Sequence, residues 1–213
     1  MAFNVGGYNT RTITDFKSRL VGGGSRPNLF EVVLSFPVGL TDVNLTGTEG
    51  DLYRFMVKGA ELPGSTITSI AVPFRGRQLK VSGDRTFAPW TITVINDTNF
   101  TLRNSFEKWA NFMNRNDDNA GVITPSEYQT NMLVHQLGRG LQNTNTLPGT
   151  GTEMPIHKSY KFYGAFPTDI TPIQLSYDTT DTIEEFSVTF DYQWWDTYEG
   201  NSDVSMLGTG EIA

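Results

Sequence analysis

Few residues in this chain have the types and spacing that enzyme chemistry requires. The sequence contains no Cys and only two His, which excludes thiol catalysis, disulfides and zinc-thiolate sites. His135 lies in an apolar stretch and His157 precedes a candidate strand, so each is interpreted as a strand histidine and not as a general base. Glu184 and Glu185 are adjacent, and in a strand they would point to opposite faces. We therefore predict no catalytic residue, no metal site and no cofactor.

Other short segments lack the context of a binding motif. Residues 22–24 are three glycines that lead into a strand, whereas a phosphate-binding loop leads into a helix. Residues 117–119 lack the spaced carboxylates of a calcium loop. The pair Trp194 and Trp195 could form a sugar-stacking platform. We expect instead that Trp194 caps the core and that Trp195 contacts a neighbouring chain.

The composition predicts one soluble domain with a real core. The chain has 213 residues, of which 38% are hydrophobic and 18% charged. Its formal net charge of -7 argues against a broad surface that grips nucleic-acid phosphates. The first 20 residues contain no apolar run, and no stretch approaches the roughly 20 apolar residues needed to cross a bilayer. We expect no targeting signal and no membrane anchoring.

The hydrophobic pattern predicts a mainly β protein with one helix. Alternation of apolar and polar residues indicates about nine strands, most clearly over residues 185–194 and more weakly over residues 53–58 and 173–177. The helix, which Thr98 or Asn99 could cap, is predicted from one apolar stripe at helical spacing: Leu102, Phe106, Trp109, Ala110 and Met113. The predicted fold is a β-sandwich or barrel with one flanking α-helix.

The predicted organisation is a single domain between two terminal segments. Residues 1–24 form an N-terminal arm, residues 25–195 form the domain and residues 196–213 form a C-terminal tail. Polar, Gly- and Thr-rich composition predicts loops at residues 39–50 and 142–153.

One motif resembles a known family. Residues 81–97, VSGDRTFAPWTITVIND, closely resemble the core of the tail tube proteins of T-even-like contractile-tailed bacteriophages. The resemblance covers about two-thirds of the chain, since further similar blocks follow in the family's order: residues 26–32, 60–64, 106–109, 126–128, 166–178 and 186–192.

The resemblance implies a structural role in the virion. Proteins of this family form hexameric rings that stack into a hollow tube inside a contractile sheath, and the genome leaves through the bore. The implied fold is shared with the haemolysin-coregulated protein of type VI secretion. The implied partners are further copies of the chain, the tail sheath protein, baseplate and tail-terminator proteins, the tape measure protein in the lumen, and genomic DNA in transit without specific binding. Assembly in the host cytoplasm is expected.

A tube also gives a reason for open sheet edges. The unpaired N–H and C=O groups of edge strands are an aggregation hazard in a monomer. A head-to-tail interface that closes after a fixed rotation would satisfy these groups with a neighbouring copy. Two other functions stay open: a related baseplate-initiator or tail-terminator ring, and a glycan- or receptor-binding β-sandwich.

Two sets of residues are candidates for the assembly. The first set is the polar face of the last strand, which would line either the lumen or the outer wall: Glu185, Ser187, Thr189, Asp191 and Gln193. An acidic or neutral lumen would leave DNA free to slide. The candidate subunit interface follows the family motif: Arg26, Asn28, Arg75, Arg77, Asp84, Arg85, Phe87, Trp90, Asp97 and Trp195.

Asp84 has two alternative roles within that motif. Residues 83–87 are expected to form a tight turn that an Asp84–Arg85 pair fixes. Alternatively, Asp84 pairs across subunits with Arg75, Arg77 or Arg85.

Overall fold

A computed structural model describes residues 13–20, 24–40, 54–139 and 155–199 of the chain. The predicted loop at residues 142–153 lies outside these residues, as do most of the loop at 39–50 and much of the predicted arm and tail.

The described residues form nine strands, three helices and a short helical segment at residues 54–56. No helix among them is long and apolar enough to cross a membrane. The helices are α1 (Ile13–Arg19), α2 (Thr101–Met113) and α3 (Pro125–Tyr128). The strands are β1 (Phe30–Val33), β2 (Val57–Ala60), β3 (Ser65–Phe74), β4 (Arg77–Phe87), β5 (Trp90–Ile95), β6 (Thr130–Leu137), β7 (Ile156–Ile170), β8 (Glu185–Asp191) and β9 (Trp194–Glu199).

Strand β7 joins two antiparallel sheets because it is long enough to belong to both. Its first part pairs with β6 and β9, and β1 extends this sheet beyond β6. Its last residues, from Phe166 to Ile170, pair with β8, and β5 and β2 follow. Gly164 lies between the two parts with φ 63°, a value that glycine adopts without strain. The mainly β fold predicted from the alternation is confirmed.

The core lies between the two sheets and α2. It contains Val32, Met132 and Phe162 from the first sheet, together with Trp90, Ile92, Val94, Phe186, Val188 and Phe190 from the second. The apolar stripe of α2 closes one side, since Leu102, Phe106 and Trp109 are fully buried. The predicted flanking helix is therefore confirmed.

The predicted helix cap is wrong. Phe100 adopts a left-handed conformation (φ 55°) just before α2, and this turn brings an earlier side chain to the helix N-terminus. The Asp97 carboxylate accepts hydrogen bonds from the backbone N–H and the hydroxyl of Thr101, at 2.8 and 2.7 Å. Asp97, and not Thr98 or Asn99, thus satisfies the first turn.

Three predicted strands differ from the observed ones. The strand predicted over residues 185–194 ends at Asp191, and β9 then pairs with β7 in the other sheet. Residues 54–56 are helical, so only the end of the strand predicted over residues 53–58 forms as β2. Residues 173–177 form no strand.

The domain boundary predicted after residue 195 falls inside β9, which continues to Glu199. The paired strand thus extends into the segment assigned to the C-terminal tail. The N-terminal segment contains α1, and its role as an arm stays a prediction.

Candidate interaction surface

Strands β3 and β4 form a two-stranded sheet separate from the sandwich. Their turn consists of Arg75 and Gly76, whose φ angles are 44° and 81°. Positive φ at both central residues is typical of the tight type I′ turn, which matches the twist of the paired strands. We call β3, this turn and β4 together the hairpin.

One face of the hairpin is apolar and open to solvent. Ile70 lies opposite Val81, and Val72 lies opposite Leu79. Because side chains alternate along a strand, these four residues share a face with Phe74. All five remain 45–67% exposed. An isolated hairpin is marginally stable in water, and a contiguous exposed apolar face of this kind marks an interaction site.

The hairpin is also basic. Its net charge is +3, whereas the net charge of the whole chain is -7. The charged side chains of the hairpin are four basic ones and one acidic one: Arg75, Arg77, Lys80, Arg85 and Asp84. The guanidinium of Arg75 lies over the Phe74 ring, 5.3 Å from its centroid. The charge is therefore next to the apolar face at the tip.

The tight turn predicted at residues 83–87 is wrong. This segment belongs to β4, because Arg85, Thr86 and Phe87 pair with the first residues of β3. Asp84 forms no ion pair with another described residue, and its carbonyl oxygen accepts a hydrogen bond from the Thr68 hydroxyl. The pairing of Asp84 across subunits stays a prediction.

Trp90 and Phe87 connect the hairpin to the sandwich. Trp90 is 2% exposed, stacks on Phe162 at 4.4 Å and donates its indole N–H to the Glu61 carbonyl oxygen at 2.8 Å. The subunit-interface role predicted for Trp90 is therefore not open to its side chain, which belongs to the core. Phe87 is half-buried, and its ring lies 5.9 Å from that of Tyr192.

The core-capping role expected for Trp194 is wrong, whereas the expected contact of Trp195 with a neighbouring chain stays a prediction. Trp194 is 51% exposed and stacks on Tyr163 at 5.1 Å. Trp195 is half-buried and packs against the core cluster. Its indole nitrogen lies 3.4 Å from the Gly64 carbonyl oxygen. The exposure of Trp194 follows from the change of sheet between β8 and β9, which shifts the face on which each side chain falls.

The remaining interface candidates do not form one cluster. Arg26 and Asn28 are exposed just before β1, where the Arg26 carbonyl oxygen accepts a hydrogen bond from the Gln136 side chain. Asp97 caps α2. Of the interface candidates, the described residues place Arg75, Arg77, Asp84, Arg85 and Phe87 together on the hairpin.

The polar face of β8 forms a row of hydroxyl groups. Phe186, Val188 and Phe190 point into the core, so the intervening residues face outward. The hydroxyl oxygens of Thr189 and Thr91 lie 3.1 Å apart. Those of Ser187 and Thr93 lie 3.4 Å apart, and both Thr91 and Thr93 belong to β5. At the ends of the row, Glu185 pairs with Lys58 and Asp191 is exposed. The fifth candidate, Gln193, lies beyond the end of β8 and does not belong to this row.

The buried histidine serves the structure, as predicted for His135. Its Nδ1 lies 2.7 Å from the hydroxyl of Ser159, a fully buried partner on the adjacent strand. Burial, and to a lesser degree the charge of Arg54, lowers the pKa of His135. Among the described residues, no group of three or more His, Cys, Asp and Glu could hold a metal ion.

The fold and this surface define a β-sandwich protein with a separate hairpin whose apolar face is open to solvent. A model of the phage tail tube protein family matches residues 25–198, and the chain belongs to this family. The chain is therefore a structural protein of the phage particle and not an enzyme, and the family resemblance of residues 81–97 is confirmed.

Two relatives bear the same name as the family. The tail tube protein gp19 of Enterobacteria phage T4 is 29% identical over 175 residues, covering 82% of this chain and 93% of the relative. The tail tube protein of Serratia phage KSP90 is 26% identical over 183 residues, covering 85% and 94%.

Solved structures of contractile systems share the fold. The tube-terminating cap of the anti-feeding prophage has a TM-score of 0.54 and 14% identity, covering 83% of this chain and 91% of that chain. A sheath–tube complex of the PVC extracellular contractile injection system has a TM-score of 0.51 and 12% identity, covering 85% and 97%.

Proposed function

We propose that this chain forms hexameric rings that stack into the tail tube of a contractile phage, the conduit through which the genome leaves inside the contractile sheath. The observation that carries the proposal is the open apolar face of the hairpin in a protein of the tail tube family. The relatives named as tail tube proteins favour the tube itself over a terminator or a baseplate ring.

The hairpin is the proposed contact between stacked rings. Each of its five open apolar side chains would gain about 1 kcal/mol on losing its remaining exposure, or roughly 5 kcal/mol for each contact. Since every subunit offers one hairpin, the contacts of a ring act together. A weak single contact is therefore compatible with a stable tube.

Sheet edges are the proposed contact within a ring. In the second sheet, β2 lies at one edge and the end of β7 lies at the other. Joining the β2 edge of one copy to the β7 edge of the next would satisfy both rows of backbone groups. Repetition after a fixed rotation closes a barrel around a lumen.

The outward face of this second sheet is the proposed lining of the lumen. It lies on the opposite side from the core and α2, and its centre consists of neutral hydroxyl groups. In the described residues of β2, β5, β8 and the end of β7, Lys58 is the only cation, and Glu185 pairs with it. A lining without free cations binds no phosphates, so DNA can slide through.

The proposed partners follow from this assembly. The tail sheath would surround the tube, baseplate and tail-terminator proteins would contact its ends, and the tape measure protein would occupy the lumen before the DNA. One of the solved structures that share the fold is part of a sheath–tube complex, which supports a sheath partner. The proposed location is the virion, after assembly in the host cytoplasm.

Thiol labelling tests the assignment of the lumen, because the natural chain contains no Cys. Asp191→Cys places a thiol at the end of the polar row, and Asn104→Cys places one on the exposed side of α2. In assembled tubes, a maleimide on a long polymer chain is expected to react readily at position 104 and much more slowly at position 191, because the polymer can enter the lumen only through the ends of the tube. Before assembly, both thiols should react at similar rates.

The opposite labelling pattern would contradict the proposed lining of the lumen. Slow reaction at position 104 with fast reaction at position 191 would place α2 in the lumen and the polar row outside.

A further inference from the structure

The segment between β7 and β8, residues 171–184, is a second open apolar surface. Leu175 is 79% exposed, Ile183 is 71% exposed and Tyr177 is fully exposed. Together with Pro172 and Ile173, these residues line a cleft of about 600 Å³. We call residues 171–184 the acidic loop, because it contains three acidic side chains and no basic one.

Hydrogen bonds at its first residue and in its middle give the acidic loop a defined shape. The Arg103 guanidinium donates to the Thr171 carbonyl oxygen at 2.7 Å, and the Thr171 hydroxyl accepts from the Ser187 backbone N–H at 2.8 Å. In the middle, the Thr179 hydroxyl donates to the Ser176 carbonyl oxygen at 2.9 Å. The apolar side chains are therefore displayed by an ordered turn, which lowers the entropy cost of binding.

The negative charge of the acidic loop is available to a partner. Glu184 accepts a hydrogen bond from the Asn96 amide at 2.9 Å and is held in place. Asp178 and Asp181 are exposed and form no ion pair with another described residue. Asp178 lies within the turn and Asp181 follows it, close in sequence to Tyr177 and Ile183 respectively.

The hairpin and the acidic loop are complementary in charge and alike in apolar character. The hairpin carries a net charge of +3 with Arg75 and Arg77 at its tip, whereas the acidic loop carries -3. Both surfaces remain exposed in the monomer, so a chain does not cover its hairpin with its own acidic loop. A strand of ten residues extends about 33 Å, which lets the hairpin reach a neighbouring molecule.

We propose that the hairpin of one copy docks on the acidic loop of another copy. This proposal rests on the proposed tube and identifies the surface that receives the hairpin. Because two different surfaces of the same chain meet, the contact is heterologous and can repeat without limit along a stack. Burial of apolar surface supplies the affinity. Ion pairs of Arg75 and Arg77 with Asp178 and Asp181 fix the position and the orientation in which the hairpin docks.

Charge reversal tests the docking. Arg75→Glu with Arg77→Glu, and separately Asp178→Lys with Asp181→Lys, should each raise the critical concentration for assembly at least about tenfold, because like charges then face each other. The fourfold variant restores opposite charges and should return to within roughly threefold of the natural chain, as a double-mutant cycle requires. Pelleting of assembled protein in low salt measures all four chains.

A matched control places the same charge change outside the acidic loop. Asp117→Lys with Glu127→Lys makes the same charge change at exposed positions elsewhere and should assemble like the natural chain. If the fourfold variant stays as impaired as its parents, or if the Asp178 and Asp181 change has no effect, the docking proposal is overturned while the tube stands. If the natural chain never assembles, the proposed function fails first.

Discussion

Replacing Val72 and Leu79 with glutamate is expected to leave the chain folded and to abolish stacking. The two side chains lie opposite each other on the open face of the hairpin, 45% and 62% exposed. Docking would bury both new carboxylates, and an unpaired buried charge costs several kcal/mol, comparable to the roughly 5 kcal/mol proposed for the whole contact. Sedimentation velocity should therefore show no species larger than a single ring.

The matched control changes the other face of the same strands. Ser69 and Ser82 are also opposite each other and exposed, so Ser69→Glu with Ser82→Glu adds the same charges without touching the apolar face. This control should still form long assemblies. Thermal unfolding of both variants checks that the sandwich is intact. Long assemblies of the Val72 and Leu79 variant would show that the apolar face is not the contact.

Phe106→Ala is expected to destabilise the fold by about 3–5 kcal/mol. Phe106 is fully buried on α2, and its ring lies 5.4 Å from Phe36, 5.9 Å from Phe190 and 6.3 Å from Phe186. Its removal leaves a cavity between the helix and the second sheet. Denaturant unfolding should be measured in the Val72→Glu, Leu79→Glu background, at a protein concentration at which sedimentation shows single subunits, because assembly would otherwise add to the measured stability.

The control for this core change is Phe55→Ala. Phe55 is 80% exposed, so its truncation should change the free energy of unfolding by no more than about 0.5 kcal/mol. A loss below about 1 kcal/mol for Phe106→Ala would contradict the position of α2 on the core.

The sequence predicted the parts of the fold in which local periodicity reports burial directly. Phe186, Val188 and Phe190 alternate along β8, and Phe106 and Trp109 recur on one side of α2. These patterns depend only on neighbours along the chain. They therefore give the element type and the buried face without knowledge of the partners.

Pairing between distant residues explains the strand errors. The apolar alternation continues through Tyr192 to Trp194, although the chain leaves the second sheet there and β9 pairs with β7. Likewise, glycine and aspartate at positions 83 and 84 favour a turn, but the pairing of residues 85–87 with the start of β3, and of Ser82 with Ser69, keeps them in β4. Nothing local distinguishes these outcomes.

The interaction surface could likewise be predicted only in part from local sequence. Arg75 and Arg77, at the hairpin tip, are candidates from the sequence, whereas Val72 and Leu79 are not. An alternating apolar strand predicts a buried face, and only the three-dimensional arrangement shows that this face is open. A signal is present nonetheless, because the excess of basic residues over positions 75–85 contrasts with an acidic chain.

Electron microscopy of the purified full chain tests most directly whether copies complete one another's open surfaces. We expect hollow particles with six-fold symmetric end views, which lengthen into tubes as the protein concentration rises. Val72→Glu with Leu79→Glu should show isolated rings or single subunits under the same conditions. A natural chain that remains a 23.7 kDa monomer at every concentration and in the assembled phage would contradict the account.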